Sequence, residues 1–225
     1  MGQVASSSET LRRKMNMLNE KIAGMLLDIK AVSIVDEDNL FTWVSGIKSP
    51  IYCDNRLTIS YPEVRSTIAD GFAERIMDQF PEVDVIAGTA TAGIPHAAWV
   101  ADRMNKSMVY VRSTSKGHGK GNQIEGVIKP GDKVVLIEDL ISTGGSSLKA
   151  VEALQEAGAE VVKVFGIFNY NFTKMENRFG EAKVAFETLT DYKTLLPIAI
   201  DRGYVLAEKK DTLLTWCENP EIFTK

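Results

Sequence analysis

The chain of 225 residues is 44% hydrophobic and carries a formal net charge of −4. This length and apolar content suffice for one domain with a full hydrophobic core, and the acidic balance gives no reason to expect nucleic-acid binding, so any anion site must be built locally. No apolar run reaches the roughly 18 residues of a membrane span, so we expect no membrane association. Cys53 and Cys217 are far apart and form no CxxC pair, which disfavours a disulfide framework or zinc site and favours a reducing, cytoplasmic setting.

The N-terminal part of the chain is predicted to be small and to lack a core of its own. Residues 1–13 are predicted to be a disordered leader because their start is rich in serine. Residues 14–30 place apolar side chains at helical spacing, which predicts an amphipathic helix. Short extended segments are expected over residues 31–43, and a short strand over residues 51–54.

From Tyr61 onward the pattern alternates between strand and helix in the manner of an α/β protein. A helix opens at Tyr61-Pro62, and the elements predicted after it are strands at 83–87, 108–111, 134–137, 161–168 and 184–186, helices at 91–104 and 148–157, one helix after Asn171 and two more at the C-terminus. This order predicts a central, mostly parallel sheet flanked by helices. We expect residues 14–225 to form one domain, in which a cap, mainly 14–60 plus the C-terminal helices, covers a core at about 61–190.

The stretch Val134–Ser147 combines two chemistries where a predicted strand ends. Its apolar start suits a strand buried on both faces of a parallel sheet. Glu138 and Asp139 follow, and carboxylates accept hydrogen bonds from ribose hydroxyls. The turn over residues 142–146 then opens a helix, where free N–H groups bind phosphate. We interpret the stretch as a sugar-phosphate site; the alternative is an ordinary strand-turn-helix with an acidic end.

Two further stretches suggest anion binding. Gly88–Gly93 joins a predicted strand to a helix, where small residues let the backbone approach a ligand, although a tight turn needs glycine anyway. The segment 112–130 fits neither helical nor strand periodicity and is rich in glycine. Its cations Lys116, His118 and Lys120 are typical of a mobile loop that encloses a polyanionic substrate, with His118 a candidate general acid. A solvated basic loop is the alternative.

Lys48, Tyr52 and Arg56 in the cap segment are candidates for binding a planar anionic base. An aromatic ring offers a flat face, and a cation balances the charge of such a ligand. Surface charge beside a packed tyrosine explains the same residue types, so residue types alone leave both interpretations open.

These stretches together carry a family resemblance. Val134–Ser147 resembles the phosphoribosyl pyrophosphate signature of the type I phosphoribosyltransferases. Residues 41–52 resemble the N-terminal segment of the orotate enzymes of that family, and residues 110–126 their catalytic loop. The likeness runs over roughly residues 14–205. It implies the type I phosphoribosyltransferase fold, an α/β fold with a small N-terminal cap, or hood, and a flexible catalytic loop.

The resemblance also implies a reaction. Members transfer 5-phosphoribose from the Mg²⁺ complex of phosphoribosyl pyrophosphate to orotate, giving orotidine 5′-monophosphate and pyrophosphate in pyrimidine biosynthesis. Two alternatives are a phosphoribosyltransferase for a purine base and a regulator that senses phosphoribosyl pyrophosphate. The N-terminal segment and Asn122–Gly126 disfavour the purine enzyme, and the acidic charge balance disfavours a nucleic-acid-binding regulator.

The resemblance implies roles for particular residues. The donor is assigned to Arg112, Lys116, His118, Glu138, Asp139, Leu140, Ile141, Ser142, Thr143, Gly144, Gly145 and Ser146, and its pyrophosphate also to the turn Thr89, Ala90, Thr91, Ala92 and Gly93. Lys116, His118 and Asp139 are the expected catalytic residues. Orotate is expected to contact Ser142, together with Lys48 and Tyr52. Mg²⁺ is expected to be held mainly through the substrate, and the catalytic loop to be shared across a homodimer.

The chain departs from the family pattern at several cations. Many orotate enzymes carry lysine where this chain has Val44, Ala92 and Ser113, so those contacts do not transfer. Lys120 is a hypothetical replacement for the lost charge. The arginine that some members use on orotate, on the strand around residues 165–169, has no clear match here.

Overall fold

The computed structural model describes residues 7–35, 39–43, 46–114 and 123–223 of the chain. Its first element is the helix α1, Ser7–Asp28. Residues 7–13, which we predicted to belong to a disordered leader, therefore form helical turns. No proline or glycine interrupts them, and Glu9 lies in the first turn, where a negative charge favours the helix N-terminus. Residues 1–6 of the predicted leader lie outside the described ranges.

Four short strands follow α1 and form two small antiparallel pairs. They are β1 Val32–Ile34, β2 Phe41–Thr42, β3 Lys48–Ser49 and β4 Ile51–Cys53. β1 pairs with β4, and β2 pairs with β3. A 3-10 helix over Asn55–Ser60 leads to the rest of the chain. The short extended segments predicted for this region are confirmed.

The central sheet has six strands, and all but one of them are parallel to their neighbours. They are β5 Val85–Thr89, β6 Ser107–Val111, β7 Ile124–Glu125, β8 Lys133–Ile141, β9 Glu160–Asn169 and β10 Phe186–Asp191. Their order is β10-β9-β8-β5-β6-β7, with β7 antiparallel to β6. The predicted fold class, a mostly parallel sheet flanked by helices, is confirmed.

Helices connect and cover these strands. They are α2 Pro62–Gln79, α3 Gly93–Met104, α4 Gly145–Glu156, α5 Thr173–Ala182, α6 Tyr192–Asp201 and α7 Lys210–Glu218. The start of β8, Val134–Ile137, is fully buried, as expected for a strand covered on both faces. Among the described residues, no helix has both the length and the apolarity needed to cross a membrane.

Several predicted strand bounds were wrong, and contacts in the structure explain three of them. Val83 belongs to a turn, where its N–H donates to Phe80 O at 3.0 Å, so β5 starts at Val85. Val184 closes α5 by donating to Phe179 O at 3.0 Å, and β10 therefore starts only at Phe186. β8 continues through the acidic pair to Ile141 because its pairing with β9 extends to Asn169. The acids thus lie within the strand and not beyond its end.

The C-terminal helices pack against the N-terminal segment. Trp216 on α7 is fully buried, and its indole Nε1–H donates to Lys48 O at 3.0 Å. Its ring contacts Trp43 edge-on at 6.0 Å between centroids and also packs on Tyr170 and Phe172. At the C-terminal end of α1, Asp28 forms an ion pair of 2.6 Å with Arg202, which follows α6. Burial of this aromatic cluster joins segments that are far apart in sequence.

Candidate functional site

The strand order creates a crevice between β5 and β8. β5 continues through α3 to β6 on one side, whereas β8 continues through α4 to β9 on the other. Because parallel crossovers are right-handed, α3 and α4 lie on opposite faces and the turns that precede them diverge here. Ligands of open α/β sheets bind at such switch points.

A cavity of about 580 Å³ opens at this switch point. Its lining residues come from both turns, from the acidic pair and from the N-terminal segment: Thr42, Trp43, Tyr52, Cys53, Asp54, Arg56, Thr89, Ala90, Thr91, Ala92, Glu138, Asp139, Leu140, Ser142, Ser146 and Tyr170. Three stretches that the sequence singled out separately therefore meet around one space.

The acidic pair on β8 lies at the floor of this cavity. Glu138 is only 4% exposed, and its Oε2 accepts from Ser147 Oγ at 3.1 Å and Ser146 Oγ at 3.4 Å. Burial and the neighbouring Asp139 charge raise the pKa of Glu138 to about 8. Burial also raises the pKa of Asp139, against hydrogen bonds that lower it. Burial of both acids therefore disfavours two negative charges on the pair.

The turn after β8 has the geometry of an anion site. Gly144 has a φ of +77°, and a Cβ there would lie 2.7 Å from Phe179 Cε2, so only glycine fits. α4 begins at Gly145, and the N–H groups of its first turn have no helical acceptors. Of the two apolar residues in the predicted donor site, Leu140 lines the cavity, whereas Ile141 is fully buried against Gly166. Ile141 is therefore not among the residues that line the cavity.

The second turn, Thr89–Gly93, faces this site from β5. The Thr89 hydroxyl is buried and has no hydrogen-bond partner among the described residues, so it can donate to a ligand. The Ala90–Thr91 peptide bond is cis. A Cβ on Gly93 would lie 2.6 Å from Ile137 O, so this glycine lets α3 approach β8. The close packing of α3 on β8 thus explains this glycine without a ligand.

A neighbouring cleft of about 510 Å³ carries positive charge. Its lining shares Thr89, Ala90 and Ser146 with the cavity and adds Arg112, Lys149 and Arg178, without any acidic residue among the described ones. The Arg112 N–H donates to Gln123 O at 2.8 Å, which fixes the start of the glycine-rich segment. Arg178 Nη1 donates to Thr143 O at 3.1 Å. The sequence did not single out Lys149 or Arg178, because α4 and α5 are surface helices on which isolated cations are common.

Of the three cap residues predicted to bind the base, two line the cavity and one does not. Tyr52 lines the cavity and packs on Phe41 with ring centroids 5.6 Å apart. Lys48 Nζ donates to Thr42 Oγ1 at 2.7 Å, and Lys48 is not among the residues lining the cavity. Arg56 does line the cavity, and Asp54 holds its guanidinium through Nε at 2.6 Å and Nη2 at 2.8 Å. The structure thus brings Tyr52 and Arg56 to the site, but not the Lys48 ammonium.

Asn55 is a site residue that sequence reasoning missed. It is 1% exposed, and its Nδ2 donates to the Asp139 carbonyl at 2.6 Å. Its Oδ1 accepts from Cys53 Sγ at 3.2 Å, and its own carbonyl accepts from Thr58 Oγ1 at 2.5 Å. The Thr58 hydroxyl uses its only proton in this bond, so it can only accept a hydrogen bond from His96. The distance of 3.2 Å between Thr58 Oγ1 and His96 Nε2 therefore indicates that the His96 ring carries a proton on Nε2. A buried hydrogen-bonded chain therefore joins the cap segment to the acidic strand.

Several predicted residues lie outside the described ranges. They are Lys116, His118 and Lys120 of the glycine-rich segment, and Val44 of the cap segment. Ser113, at the start of that segment, lines the cationic cleft with Arg112.

Comparisons with known proteins agree with this architecture. A family model described as the phosphoribosyl transferase domain matches residues 61–193. The orotate phosphoribosyltransferase of Fusobacterium nucleatum subsp. nucleatum is 57% identical over 205 residues, covering 91% of this chain and 97% of that protein. The crystal structure of orotate phosphoribosyltransferase from Aeropyrum pernix aligns with a TM-score of 0.70 at 28% identity, covering 79% of this chain and 97% of that one. The structure of Leishmania donovani UMP synthase aligns with a TM-score of 0.76 at 28% identity, covering 88% of this chain and 42% of that one.

Proposed function

Since this chain belongs to the phosphoribosyl transferase family and to its orotate phosphoribosyltransferases, we propose that the cavity at the switch point is where it transfers phosphoribose. The reaction moves 5-phosphoribose from phosphoribosyl pyrophosphate to orotate in pyrimidine biosynthesis. We assign the site on one observation: the acidic pair, both anion turns and the cap residues all line the same cavity.

The donor's phosphates are assigned to the two turns and the cationic cleft. The first turn of α4 offers backbone N–H groups, and Gly144 supplies the left-handed conformation that leads into that turn. Thr89, whose hydroxyl has no partner among the described residues, lines both the cavity and the cleft, and Arg112 lines the cleft. Charge-assisted hydrogen bonds from these groups hold the phosphates while the ribose lies over the acidic pair.

The acidic pair is assigned to the ribose. Positive charge develops on the ribose carbon as pyrophosphate leaves, and a nearby carboxylate that is already in place stabilises it. Asp139 fits this role because it lines the cavity and its backbone is held in place by Asn55. Glu138, held by Ser146 and Ser147, fits the role of a hydrogen-bonding partner for the ribose hydroxyls. Orotate is already an anion, so no strong enzyme base is required.

We further assign Mg²⁺ as the cofactor, held mainly through the substrate. The carboxylate oxygens of Glu138 and Asp139 have the chemistry that this hard cation prefers. Two acids are few for a complete protein site, which suits an ion that takes its other ligands from the donor. When bound, Mg²⁺ neutralises charge on the departing pyrophosphate.

The glycine-rich segment is assigned as a catalytic lid, with Lys116 and His118 meeting the pyrophosphate. Its attachment points support this: Arg112 and Gln123 pair at its base and both line the cationic cleft. In a homodimer whose lids are shared, each lid completes the neighbouring site. Mixing inactive Lys116→Ala with inactive Asp139→Asn should then restore partial turnover. A mixture that stays inactive would show that each site uses its own lid.

Contacts and buried thiols support two further proposals, which concern the extent of the cap and the cellular setting. The grouping of the C-terminal helices with the N-terminal cap is supported by Trp216 bonding Lys48 O and by Arg202 bonding Asp28. A reducing, cytoplasmic setting is supported by Cys53 and Cys217, both of which are buried free thiols.

A spectrophotometric assay tests the reaction. With Mg²⁺ and phosphoribosyl pyrophosphate, orotate absorbance should fall, and hypoxanthine, adenine and uracil should not be consumed at a comparable rate. Stable orotate absorbance would contradict the assignment. Consumption of a purine base instead would favour the purine enzyme.

A further inference from the structure

The charges that line the cavity do not by themselves suit an anionic base. Among the described residues lining it are three acids, Asp54, Glu138 and Asp139, and a single cation, Arg56. Orotate carries a carboxylate, and an ion that is partly removed from water requires a charged or hydrogen-bonding partner. We propose that Arg56 binds the carboxylate of orotate and thereby selects it over uracil. This inference rests on the proposed function and adds a specificity-determining residue to it.

The guanidinium is oriented before any ligand arrives. Asp54 accepts from Nε at 2.6 Å and from Nη2 at 2.8 Å, and its Oδ1 also accepts the Arg56 backbone N–H at 3.2 Å. The side-chain hydrogen bond from Arg56 lowers the pKa of Asp54, so the pair stays ionised. Nη1 makes no hydrogen bond within the described ranges, and the Arg56 side chain is 64% exposed. A guanidinium has five N–H donors in a rigid fork, so one edge held by Asp54 leaves the other for a second carboxylate.

The segment that carries Arg56 is fixed relative to the ribose acids. The adjacent Asn55 is buried and donates to the Asp139 carbonyl at 2.6 Å. Thr58 caps the same segment through Asn55 O and contacts His96 on α3. These bonds hold Arg56 at a set position beside the acid that faces the ribose. A cation held at a fixed distance from the ribose can contact one particular edge of a base that is attached to the ribose.

The rest of the same wall suits a flat ring. Trp43, Tyr52 and Tyr170 line the cavity, and Trp43 packs on Tyr170 with centroids 4.9 Å apart. Aromatic faces bind a planar base while leaving its polar edge to a few oriented groups. Lys48, the cation that the sequence suggested for orotate, instead donates to Thr42. Arg56 is therefore the cation that the described cavity wall presents to the base.

The two nucleotides that differ by this carboxylate give a direct test. Orotidine 5′-monophosphate and uridine 5′-monophosphate share every other group, so the ratio of their dissociation constants isolates carboxylate recognition. For the wild type, calorimetry should give a preference for the orotidine nucleotide of roughly 10- to 100-fold, the range expected for a charge-assisted pair. In Arg56→Gln the preference should fall to about 1–3-fold, with uridine nucleotide binding nearly unchanged. Arg56→Lys, which keeps the charge but loses the fork, should be intermediate.

Arg202→Gln is a matched control, because it removes another arginine paired with an aspartate on the surface. Its nucleotide preference should equal that of the wild type. In steady-state assays Arg56→Gln should raise the KM for orotate roughly 10-fold or more and leave the KM for phosphoribosyl pyrophosphate within about twofold. A folded Arg56→Gln enzyme that keeps the full preference overturns the Arg56 assignment, as does a wild type that binds both nucleotides equally. The wild type failing to consume orotate would instead count against the proposed function.

Discussion

The two walls of the cavity are built in different ways. The core wall consists of β8, the turn after it and the start of α4, all within the continuous stretch Lys133–Glu156. The cap wall combines Trp43, Tyr52, Arg56 and Tyr170, with Trp216 behind them. One wall is a single local motif, whereas the other exists only after distant segments have packed. We therefore expect core-wall changes to affect rate more than stability near neutral pH, and cap-wall changes to affect stability or base selection.

The largest expected effect comes from breaking the support of the cap wall. Trp216→Ala removes a fully buried indole from the aromatic cluster and leaves Lys48 O without its donor. The free energy of unfolding, measured by urea denaturation, should fall by about 3–5 kcal/mol. Trp216→Phe, which keeps much of the ring volume, should lose clearly less. Equal losses in the two variants would show that the hydrogen bond, and not the packing, holds the cap.

Breaking the chemistry of the core wall should leave the fold intact. Asp139→Asn removes the carboxylate assigned to the developing charge on the ribose. kcat should fall roughly 10²–10³-fold, about 3–4 kcal/mol of transition-state stabilisation, while the free energy of unfolding changes by under about 1 kcal/mol. Asp78→Asn, an exposed change on α2, serves as the control and should retain wild-type rates. A comparable loss of stability in Asp139→Asn would remove the contrast between the walls.

Asn55 joins the two walls, so its loss should affect both. Asn55→Ala leaves the Asp139 carbonyl without its donor, which should cost about 1–3 kcal/mol of unfolding free energy. The KM values for phosphoribosyl pyrophosphate and orotate should rise together, unlike the orotate-specific effect of Arg56→Gln. Asn177→Ala, on the exposed part of α5, should change neither. A rise in only one KM would show that Asn55 supports one wall alone.

The pH dependence of stability should also change when the buried core-wall acid Glu138 is replaced. Glu138 has a pKa of about 8 in the folded protein against 4.5 as the reference, so the folded state binds the extra proton between these values. The contribution of Glu138 to the free energy of unfolding should therefore decrease as pH rises through this window, by at most about 1.4 kcal/mol per unit. Glu138→Gln should flatten this slope in denaturant titrations at about pH 5, 6.5 and 8. Identical slopes in both proteins would show that Glu138 does not carry the proton.

Sequence reasoning performed best where a single segment holds both a structural and a chemical pattern. The apolar start of β8 predicted a strand buried on both faces, and the acidic pair and small-residue turn after it do line a cavity. The alternating order of elements predicted the parallel sheet. It performed worse at strand ends, since Val83 and Val184 are apolar residues used to close turns. Local composition does not distinguish an apolar turn residue from the first residue of a strand.

The cap wall depended on tertiary structure. Lys48 and Arg56 are equivalent as cations in the sequence, but only Arg56 lines the cavity. Strands of two or three residues, such as β2 and β3, have too little hydrophobic pattern to set their own register. The packing of Trp216 and the bond from Asn55 to Asp139 orient this segment instead, and the latter spans 84 positions of sequence.

The sequence by itself thus determined the α/β fold and the strand-turn-helix that lines the core wall, because hydrophobic periodicity and the strand-turn-helix pattern are local properties of the chain. Tertiary structure alone decided which cation faces the base and which amide supports the ribose acid. Those choices depend on hydrogen bonds and buried aromatic contacts between distant segments, whose geometry no local pattern specifies.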